Sequence, residues 1–420
     1  MNIRVEKMDR KSFLKSVLLQ REFLAVFIVI VNALSWYFPL YALFTNTVNG
    51  LQIEYRSLLA IFGIHYASVI GFAIIGIVVM NKLVSRNTLL SLWMFIGIVA
   101  SLLMSTLGDN QVYLFLLAFV LGLSLGLGFP SCLAYFADYG VVEYRGRLGG
   151  FTYCIAGLGI FFIGVLTVIF TLIASITILA IWRGIGLIAF ILIKPPQKST
   201  KKEVDVSYRT ILNERSFSLY LVPWMMFCLV NFLENPILRS FFGADFYYFV
   251  QIAEFGIGSV AALVGGLFSD LVGRKRIVIF GFVMLGIGYA VLGLFPNSIV
   301  SWYFYMAVDG VAWGILALMF FIILWGELAE NRMKDKYYFL GVLPFLISSY
   351  IEIIAAPYVE LVSVSASFSL ASFFLFVSVL PLMYAPETLP EKKIELRRAK
   401  GYVEQAKKVR EKYLKKGSGA

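Results

Sequence analysis

The sequence has few of the residues that build catalytic and metal centres. His65 is the only histidine among 420 residues, and the three cysteines, Cys132, Cys154 and Cys228, all lie in apolar runs. A multi-histidine metal site and a disulfide framework are therefore excluded, and we expect the cysteines to be small buried hydrophobic side chains. The chain also lacks a Gly-x4-Gly-Lys-[Ser/Thr] phosphate loop. The sequence thus predicts a protein without metal, cofactor, ATP site or enzyme activity.

Charge is scarce as well. Only 15% of the residues are charged and 60% are hydrophobic, and the mean hydropathy is +0.85. A soluble domain is nearer one quarter charged and one half apolar. Because such a chain cannot cover its surface with polar groups, the sequence predicts an integral membrane protein.

Twelve apolar runs are long enough to cross a bilayer, so the predicted fold class is all-α integral membrane. Residues 149–193 carry one charge, Arg183, and their length fits two spans. The first run is too long for the apolar part of a signal peptide, so we expect it to remain as a span. The predicted spans are 23–46, 57–80, 88–107, 111–137, 149–171, 173–193, 217–236, 244–268, 277–296, 299–326, 337–361 and 363–384.

Basic residues concentrate on one side of these spans. The N-terminal segment, the loops after even-numbered spans and the C-terminal tail hold 33 of the 36 Lys and Arg residues, whereas the opposite loops hold only Arg56 and Arg239. Lys and Arg accumulate in cytoplasmic loops, so we expect both termini in the cytoplasm and a multi-pass protein of the plasma membrane. The net charge of +11 follows from this asymmetry and does not indicate a nucleic-acid partner.

The basic tail after residue 384 has two interpretations. Its residues Tyr402, Ala406, Val409 and Tyr413 recur at helical spacing. This pattern fits an amphipathic helix on the inner leaflet, where Lys and Arg attract anionic lipid, and it equally fits a solvated helix. Membrane lipid is therefore an expected partner.

The two halves of the chain repeat each other. Asp138 is followed seven residues later by Arg145, and Glu327 is followed seven residues later by Lys334, at an offset of about 190 residues. Parallel halves of this kind place a solute site at the midplane between them. The predicted organisation is an N-terminal segment 1–22, a six-helix bundle 23–193, a linker 194–216, a second six-helix bundle 217–384 and a tail 385–420.

The stretch GGLFSDLVGRKRIVIFG, residues 265–281, places an acid, a glycine and three bases between apolar runs. Gly266 allows close helix contact, and Gly273 permits backbone angles that other residues avoid. Asp270 lies at a helix end, where it can pair with a base or with the positive N-terminus of another helix. Such a pair can hold one face shut and separate when the two halves rock. The alternative is an ordinary basic loop with one incidental acid.

Four short motifs stand at the basic ends of the predicted spans. They are Gly266-x3-Asp270-x2-Gly273-Arg274-Lys275, Asp138-x6-Arg145-Gly146, Glu327-x6-Lys334 and PETLPE at 386–391. Together they resemble the major facilitator superfamily, and the last three are similar to motifs of its sugar-porter and organic-ion branches. The resemblance implies two pseudo-symmetric six-helix bundles, alternating access, a solute site between the bundles, and a gating role for these motif residues.

The sequence departs from the motifs of this superfamily at three places, and these departures restrict which of its branches the chain resembles. In the first-half copy of the signature loop, which begins at Gly76, Met80 and Val84 stand where the second half has Asp270 and Arg274. The fifth span has no Gly-Pro pair, which disfavours a drug/proton antiporter, and the seventh has no glutamine pair, which disfavours a hexose substrate.

Five ionisable residues lie well inside the predicted spans, where a charge is expensive by about 2.5–3.5 kcal/mol. Such residues usually face the bundle interior or a wet cavity. Three acids against one base leave a negative interior unless protons are bound, which favours cationic, zwitterionic or neutral solutes. The five are Arg183, Glu254, Asp309, Glu352 and His65.

Asp309 is the main candidate for coupling. Tyr305, Asp309 and Trp313 are spaced four residues apart and share one helix face. An acid among apolar groups suits a proton carrier or a seat for a cationic group; the alternative is a static ion pair with Arg183.

The other ionisable residues keep two interpretations each. Glu254 and Glu352 either carry a proton and line the path or are satisfied by hydrogen bonds within the bundle. Arg183 either holds an anionic group or neutralises one of the acids. His65 is either a hydrogen-bonded packing residue, which is the favoured interpretation, or a proton relay.

Amide and aromatic side chains on the first and seventh spans are candidate lining residues for a small polar solute with apolar parts. Helix packing explains each of them equally well. They are Asn32, Trp36, Trp224 and Asn231.

The sequence thus favours a monomeric secondary transporter of a small organic solute, coupled to protons. One alternative is a lipid or glycolipid flippase on the same fold, which would need a basic headgroup pocket near Arg183. Another is a membrane enzyme or a non-transporting subunit of a membrane complex, which the scarcity of histidine and cysteine disfavours.

Overall fold

The computed structural model describes residues 20–51, 53–106, 110–139, 142–193, 204–359 and 362–389. Most of the predicted N-terminal segment and residues 194–203 of the predicted linker lie outside these ranges. The tail from residue 390 onward, with its predicted amphipathic helix, lies outside them as well.

Twelve helices in the described ranges are long and apolar enough to cross a membrane, which confirms the predicted spans. Most run a few residues further than predicted, because polar and charged residues form their first and last turns. We number them α1 Arg21–Gly50, α2 Tyr55–Lys82, α3 Arg86–Met104, α4 Gln111–Gly126 continued by Phe129–Asp138, α5 Arg145–Ile169, α6 Leu172–Ile193, α7 Arg215–Phe242, α8 Ala244–Val272, α9 Arg274–Leu294, α10 Ile299–Ala317 continued to Leu328, α11 Lys334–Val359 and α12 Val364–Tyr384.

The packing of the first six helices repeats in the last six. Helix α1 contacts α5 and α6, as α7 contacts α11 and α12. Helix α4 contacts α2 and α3, as α10 contacts α8 and α9, and the pair α3 and α6 corresponds to α9 and α12. The duplication read from the sequence therefore has a counterpart in helix packing. The residue boundaries of the two bundles stay a prediction.

The two halves meet along two main seams, α5 against α8 and α2 against α11. The first seam is close enough for backbone contact. A Cβ atom added to Gly266 would lie 2.3 Å from the carbonyl oxygen of Gly146, and one added to Gly150 would lie 2.7 Å from that of Ala262. Only glycine fits at such a distance, so these residues set how closely α5 and α8 approach.

Helices α4 and α10 are irregular at matching depths. Helix α4 is interrupted at Leu127 and Gly128, just before Pro130 in the next turn. Helix α10 contains a π-helical turn at Leu318–Ile323. Such interruptions re-aim side chains. The interruption of α4 directly precedes Phe129 and that of α10 contains Phe321, and both of these rings face the space between the halves.

Candidate functional site

A cavity of about 680 Å³ lies between the two halves. Its lining comes from α1, α2, α4 and α5 of the first half and from α7, α8, α10 and α11 of the second. This volume lies within the usual range for sites that enclose a small organic molecule, about 300–1,000 Å³.

Three carboxyl groups from three helices meet at the wall formed by the second half. The Tyr305 hydroxyl donates to Glu234 Oε1 at 2.7 Å and is also within hydrogen-bonding reach of Asp309. Asp309 is in turn within hydrogen-bonding reach of Glu254. A carboxylate only accepts hydrogen bonds, so a bond between two carboxyl groups requires a proton on one of them. We call Glu234, Glu254 and Asp309 with Tyr305 the acid array.

Glu234 was missed by the sequence analysis, which ended the seventh span at residue 236. Pro236 was the last residue of that predicted span, so Glu234 fell in its final turn. Helix α7 instead continues through Pro236 to Phe242, which places Glu234 well inside the span, at 5% exposure. The apolar residues after Pro236 are the signal that could have found it.

Arg239, predicted in a loop opposite the basic face, lies instead in the last turn of α7. It lines the cavity and sits over the Tyr247 ring at 5.2 Å from its centroid. Glu352 of α11 lines the same region, where it interacts electrostatically with Arg239 and is within hydrogen-bonding reach of the Asn235 side chain. Glu352 therefore differs from the acid array in having a base nearby.

Tyrosine side chains form much of the wall contributed by the first half. Tyr37, Tyr41, Tyr66 and Tyr153 line the cavity, and the hydroxyls of Tyr41 and Tyr66 are 2.6 Å apart. His65 lies fully buried behind them, with Nδ1 3.3 Å from the Ala118 carbonyl oxygen and Nε2 2.9 Å from the Tyr37 hydroxyl. Because a carbonyl only accepts, Nδ1 carries the proton and Nε2 accepts from Tyr37.

Aromatic rings surround the part of the cavity next to the acid array. Trp313, one turn beyond Asp309 on α10, makes edge contacts with Phe232 and Phe345. Phe345 also contacts Phe38 from the first half at 6.2 Å between centroids. We call this group the aromatic box; its members that line the cavity are Phe38, Phe232, Phe255, Trp313, Phe321 and Phe345.

Arg183 does not pair with Asp309. Its guanidinium lies between the rings of Trp36 and Trp93, 4.5 and 4.4 Å from their centroids, and donates to Asn32 Oδ1 at 2.8 Å. Asn32 also donates to the carbonyl oxygen of Trp182 at 2.7 Å. The group joins α1, α3 and α6 inside the first half. Arg183, Asn32 and Trp36 therefore lie in helix packing, and none of them is among the described residues that line the cavity.

The two residues of α7 that were predicted to line the site, Asn231 and Trp224, lie in different surroundings. Asn231 lines the cavity and accepts from the Tyr289 hydroxyl at 3.3 Å. Trp224 is fully buried in packing, where it stacks on Phe320 and donates to the Gly341 carbonyl oxygen at 2.9 Å. Of the predicted site residues, the structure brings together in the cavity Asn231, Glu254, Tyr305, Asp309, Trp313 and Glu352.

At the basic face, Asp270 joins the two halves. It is fully buried and accepts from the backbone N–H groups of Gly146 and Arg147 at 3.0 Å each. These residues form the first turn of α5, so a carboxylate of the second half caps a helix of the first. Asp270 also pairs with Arg274 at 2.6 Å.

The repeated acid and base motifs pair crosswise between the halves. Asp138 of the first half pairs with Lys334 of the second at 2.6 Å. Glu327 of the second half lies 3.7 Å from Arg145 of the first and 3.3 Å from Arg274. We call Asp138, Arg145, Asp270, Arg274, Glu327 and Lys334 the basic-face gate.

The segment after α12 contacts this gate. Glu387 accepts from the backbone N–H of Arg274 at 2.8 Å and of Lys275 at 3.3 Å, at the first turn of α9. Lys275 Nζ donates to the carbonyl oxygens of Met383 and Ala385. Gly273 has φ +108°, a left-handed angle that glycine adopts most easily, and a Cβ there would meet Glu387.

The first-half copy of the gate loop is built differently. Met80, which replaces the aspartate, receives weak contacts from Arg86 Nε at 3.4 Å and from the Ser131 hydroxyl at 3.7 Å. Arg86 instead pairs with Asp335 in the first turn of α11 at 2.9 Å, and Ser131 donates to Asp335 at 2.6 Å. Sequence reasoning missed Arg86 and Asp335, because their pairing depends on the approach of distant helices.

The cavity and the gate lie at different depths. Contacts between the halves close the basic face, while the cavity lining reaches exposed residues near the other ends of α1 and α5, such as Asn46 and Val168. At that other end, α2 and α11 are joined by uncharged bonds from Tyr55 to Ile354 and from Tyr350 to Leu59.

Comparison with known proteins agrees with this architecture. The sequence profile of the Major Facilitator Superfamily matches residues 25–316. The fold is similar to that of the human organic anion transporter MFSD10 (TETRAN), at TM-score 0.66 and 13% identity over 86% of this chain and 99% of that one. It is also similar to the proton:xylose symporter XylE, at TM-score 0.63 and 14% identity over 87% of this chain and 96% of that one.

Among curated proteins, none matches the sequence. At such low identities the two solved structures show a shared fold and nothing about the solute. The profile match extends over more than half of the chain, and the twelve helices pack as the resemblance implied. The chain therefore belongs to the Major Facilitator Superfamily.

Proposed function

We propose that this protein is a secondary active transporter that carries a small organic solute across the plasma membrane by alternating access, coupled to protons. Membership of the superfamily supports transport. In such proteins two parallel bundles rock about a midplane site, and the cavity between the halves has the position and volume that this mechanism needs.

The Asp309–Glu254 contact carries the proposal of proton coupling. The two carboxyl groups lie within hydrogen-bonding reach of each other in a cavity wall, and a hydrogen bond between them needs a proton on one of them, which supports a proton site at this pair. Removal from water favours the neutral form of a carboxyl group, and access to water changes as the halves rock. A pair that meets alternating environments can therefore take up a proton on one side and release it on the other.

The charge of the lining supports a cationic, zwitterionic or neutral solute. Among the described residues, four carboxyl groups line the cavity, from Glu234, Glu254, Asp309 and Glu352, against the single guanidinium of Arg239. A wholly anionic solute would be repelled unless several protons were bound.

The basic-face gate supports the conformational part of the proposal. Its ion pairs join the first half to the second, so they must separate when the cavity opens to the basic face. We place that face in the cytoplasm, because it carries nearly all Lys and Arg of the connecting segments. Labelling of single cysteines introduced into the loops of intact cells would test this orientation.

A two-stage experiment tests the function. Purified protein is first screened by thermal shift against sugars, amino acids, amines and carboxylates, because a ligand of the folded form raises apparent stability. Uptake of the stabilising solute is then measured in proteoliposomes with and without a pH gradient. We expect gradient-dependent uptake that stops when an ionophore collapses the gradient. Uptake that is indifferent to the gradient would contradict proton coupling, and a protein that moves no solute would contradict transport.

The flippase alternative is not favoured. It needs a basic pocket for a lipid headgroup near Arg183. Within the described residues the Arg183 side chain is fully buried between two tryptophan rings, away from the cavity.

A further inference from the structure

We propose that the transported solute is an organic amine, a cation whose ammonium group binds between Glu234 and Asp309 while its apolar body packs in the aromatic box. This inference rests on the proposed function and names the class of its solute. It is carried by unused hydrogen-bonding capacity, by the distribution of charge and by the neighbouring rings.

The first observation is a pair of unused acceptors. Glu234 Oε2 and Asp309 Oδ1 are buried and have no hydrogen-bond partner among the described residues. The side chains are 5% and 2% exposed and both line the cavity. Buried polar atoms are nearly always satisfied, so two unpaired oxygens on residues that line one cavity indicate a missing donor.

The geometry restricts what this donor is. Both carboxyl groups are within hydrogen-bonding reach of the Tyr305 hydroxyl, so one small group next to that hydroxyl can reach both. An ammonium group has up to three N–H donors and a positive charge, which matches two carboxyl acceptors. A hydroxyl group has one donor and no charge, and a carboxylate has none.

The charge distribution points the same way. In the described part of the chain, Glu234 and Asp309 form no ion pair with a base, and Arg239, the one base of the lining, interacts with Glu352 instead. The described residues also contain no cluster of three or more His, Cys, Asp or Glu side chains arranged to hold a metal ion. The site therefore calls for a positive charge.

The aromatic box accounts for the rest of the solute. Trp313 lies one helical turn from Asp309, and its ring meets Phe232 and Phe345. These rings offer apolar surface directly beside the carboxyl groups, and an aromatic face also attracts a cation. A solute with an ammonium head and a hydrocarbon or aromatic body matches this arrangement.

The test uses three probes with nearly the same body and different heads: 2-phenylethylamine, 2-phenylethanol and 3-phenylpropionate. Binding to the purified full-length protein is measured by thermal shift and titration calorimetry. We expect the amine to raise the melting temperature at concentrations up to about 10 mM, and to bind at least roughly tenfold more tightly than the alcohol or the acid.

Three variants locate the site. We expect Glu234→Gln to weaken amine binding by roughly tenfold or more. Glu234→Asp keeps a carboxylate on a shorter side chain, so we expect it to weaken binding less. Glu54→Gln removes one negative charge from an exposed residue before α2 and serves as the matched control, with unchanged binding. Gel filtration and thermal unfolding establish that each variant is folded.

Equal or tighter binding of the alcohol or the acid would overturn the inference. So would unchanged amine binding in folded Glu234→Gln, or the failure of every probe to bind. These measurements need no pH gradient, so they separate the two proposals. Amine binding without gradient-driven uptake would leave this inference standing and remove proton coupling, whereas proton-driven uptake of a neutral solute would do the reverse.

Discussion

Buried carboxylates occur at two levels of this protein, and their partners differ. At the basic-face gate, Asp270 and Glu327 are almost fully buried and each contacts Arg274. In the acid array, Glu234 and Asp309 are just as buried, but their described partners are tyrosine hydroxyls and another carboxyl group. The same residue type, at similar burial, therefore meets two kinds of chemistry.

This difference in partners suits the gate acids and the array acids to different roles. A buried acid next to an arginine stays charged, and removing one partner of such a pair costs about 3–5 kcal/mol. Gate acids are thus suited to holding the halves together. An acid without a base must bind a proton or a cation to be stable in the same surroundings. Array acids are thus suited to exchanging a proton or a solute.

The largest expected effect concerns the array. Asp309→Asn removes the carboxyl group that joins Glu254 to Tyr305, so proton-driven uptake should lose its dependence on the gradient. We expect gradient-driven uptake to fall by roughly 5–150-fold, which is the range that a typical coupling free energy corresponds to. Uptake into proteoliposomes under an imposed pH gradient measures this, with Glu54→Gln as the control. Wild-type uptake by the variant would remove Asp309 from coupling.

The next effect concerns the gate. Asp270→Ala removes the acceptor that Arg274 shares with the first N–H groups of α5; because Arg274 keeps Glu327, we expect a cost to the closed state at the lower end of the usual range, about 3 kcal/mol. We expect a cysteine placed in the basic-face cleft to react faster with a thiol reagent. Arg276→Met, at an exposed neighbouring base, is the control for lost charge. A cleft that reacts no faster in Asp270→Ala would show that Asp270 does not hold the face shut.

Glu352 sharpens the comparison, since it is a cavity acid with a base nearby. Because Arg239 and Asn235 already interact with it, we expect Glu352→Gln to reduce gradient-driven uptake less than Asp309→Asn does. The loss of one ordinary hydrogen bond is worth about 0.5–1.5 kcal/mol, or roughly two- to tenfold. The same uptake assay measures it, and a loss as complete as that of Asp309→Asn would place Glu352 in the coupling step.

The smallest effect concerns Lys334. Its pair with Asp138 is partly exposed, at 11% and 22% for the two side chains, and Asp138 keeps Arg86 when Lys334 is removed. We expect Lys334→Met to change the gate by about 1 kcal/mol or less. Cleft labelling should therefore rise far less than in Asp270→Ala. An equal rise would mean that all pairs of the gate contribute alike.

Much of the fold was predictable from the sequence because lipid imposes a simple rule. Each span needs about 20 apolar residues, and the twelve predicted spans match the twelve helices. The spacing of Tyr305, Asp309 and Trp313 correctly indicated one face, since helical periodicity is local.

The partners of the site residues were not predictable in this way. The position of Asp138 in the sequence does not predict an ion pair with Lys334, because the two residues come together only when the halves pack. Arg183 was considered as a partner of Asp309, but two tryptophans of its own half enclose it. Glu234 was missed because the predicted span stopped at Pro236, whereas α7 accommodates this proline and continues beyond it.

Infrared spectroscopy of the purified protein tests most directly the claim that the array holds a proton and the gate does not. The account predicts a carbonyl band of a protonated carboxyl group in the wild type at neutral pH, weakened or shifted in Asp309→Asn and unchanged in Asp270→Asn. A wild-type spectrum without such a band, or a band that is unchanged in Asp309→Asn and weakened in Asp270→Asn, would contradict it.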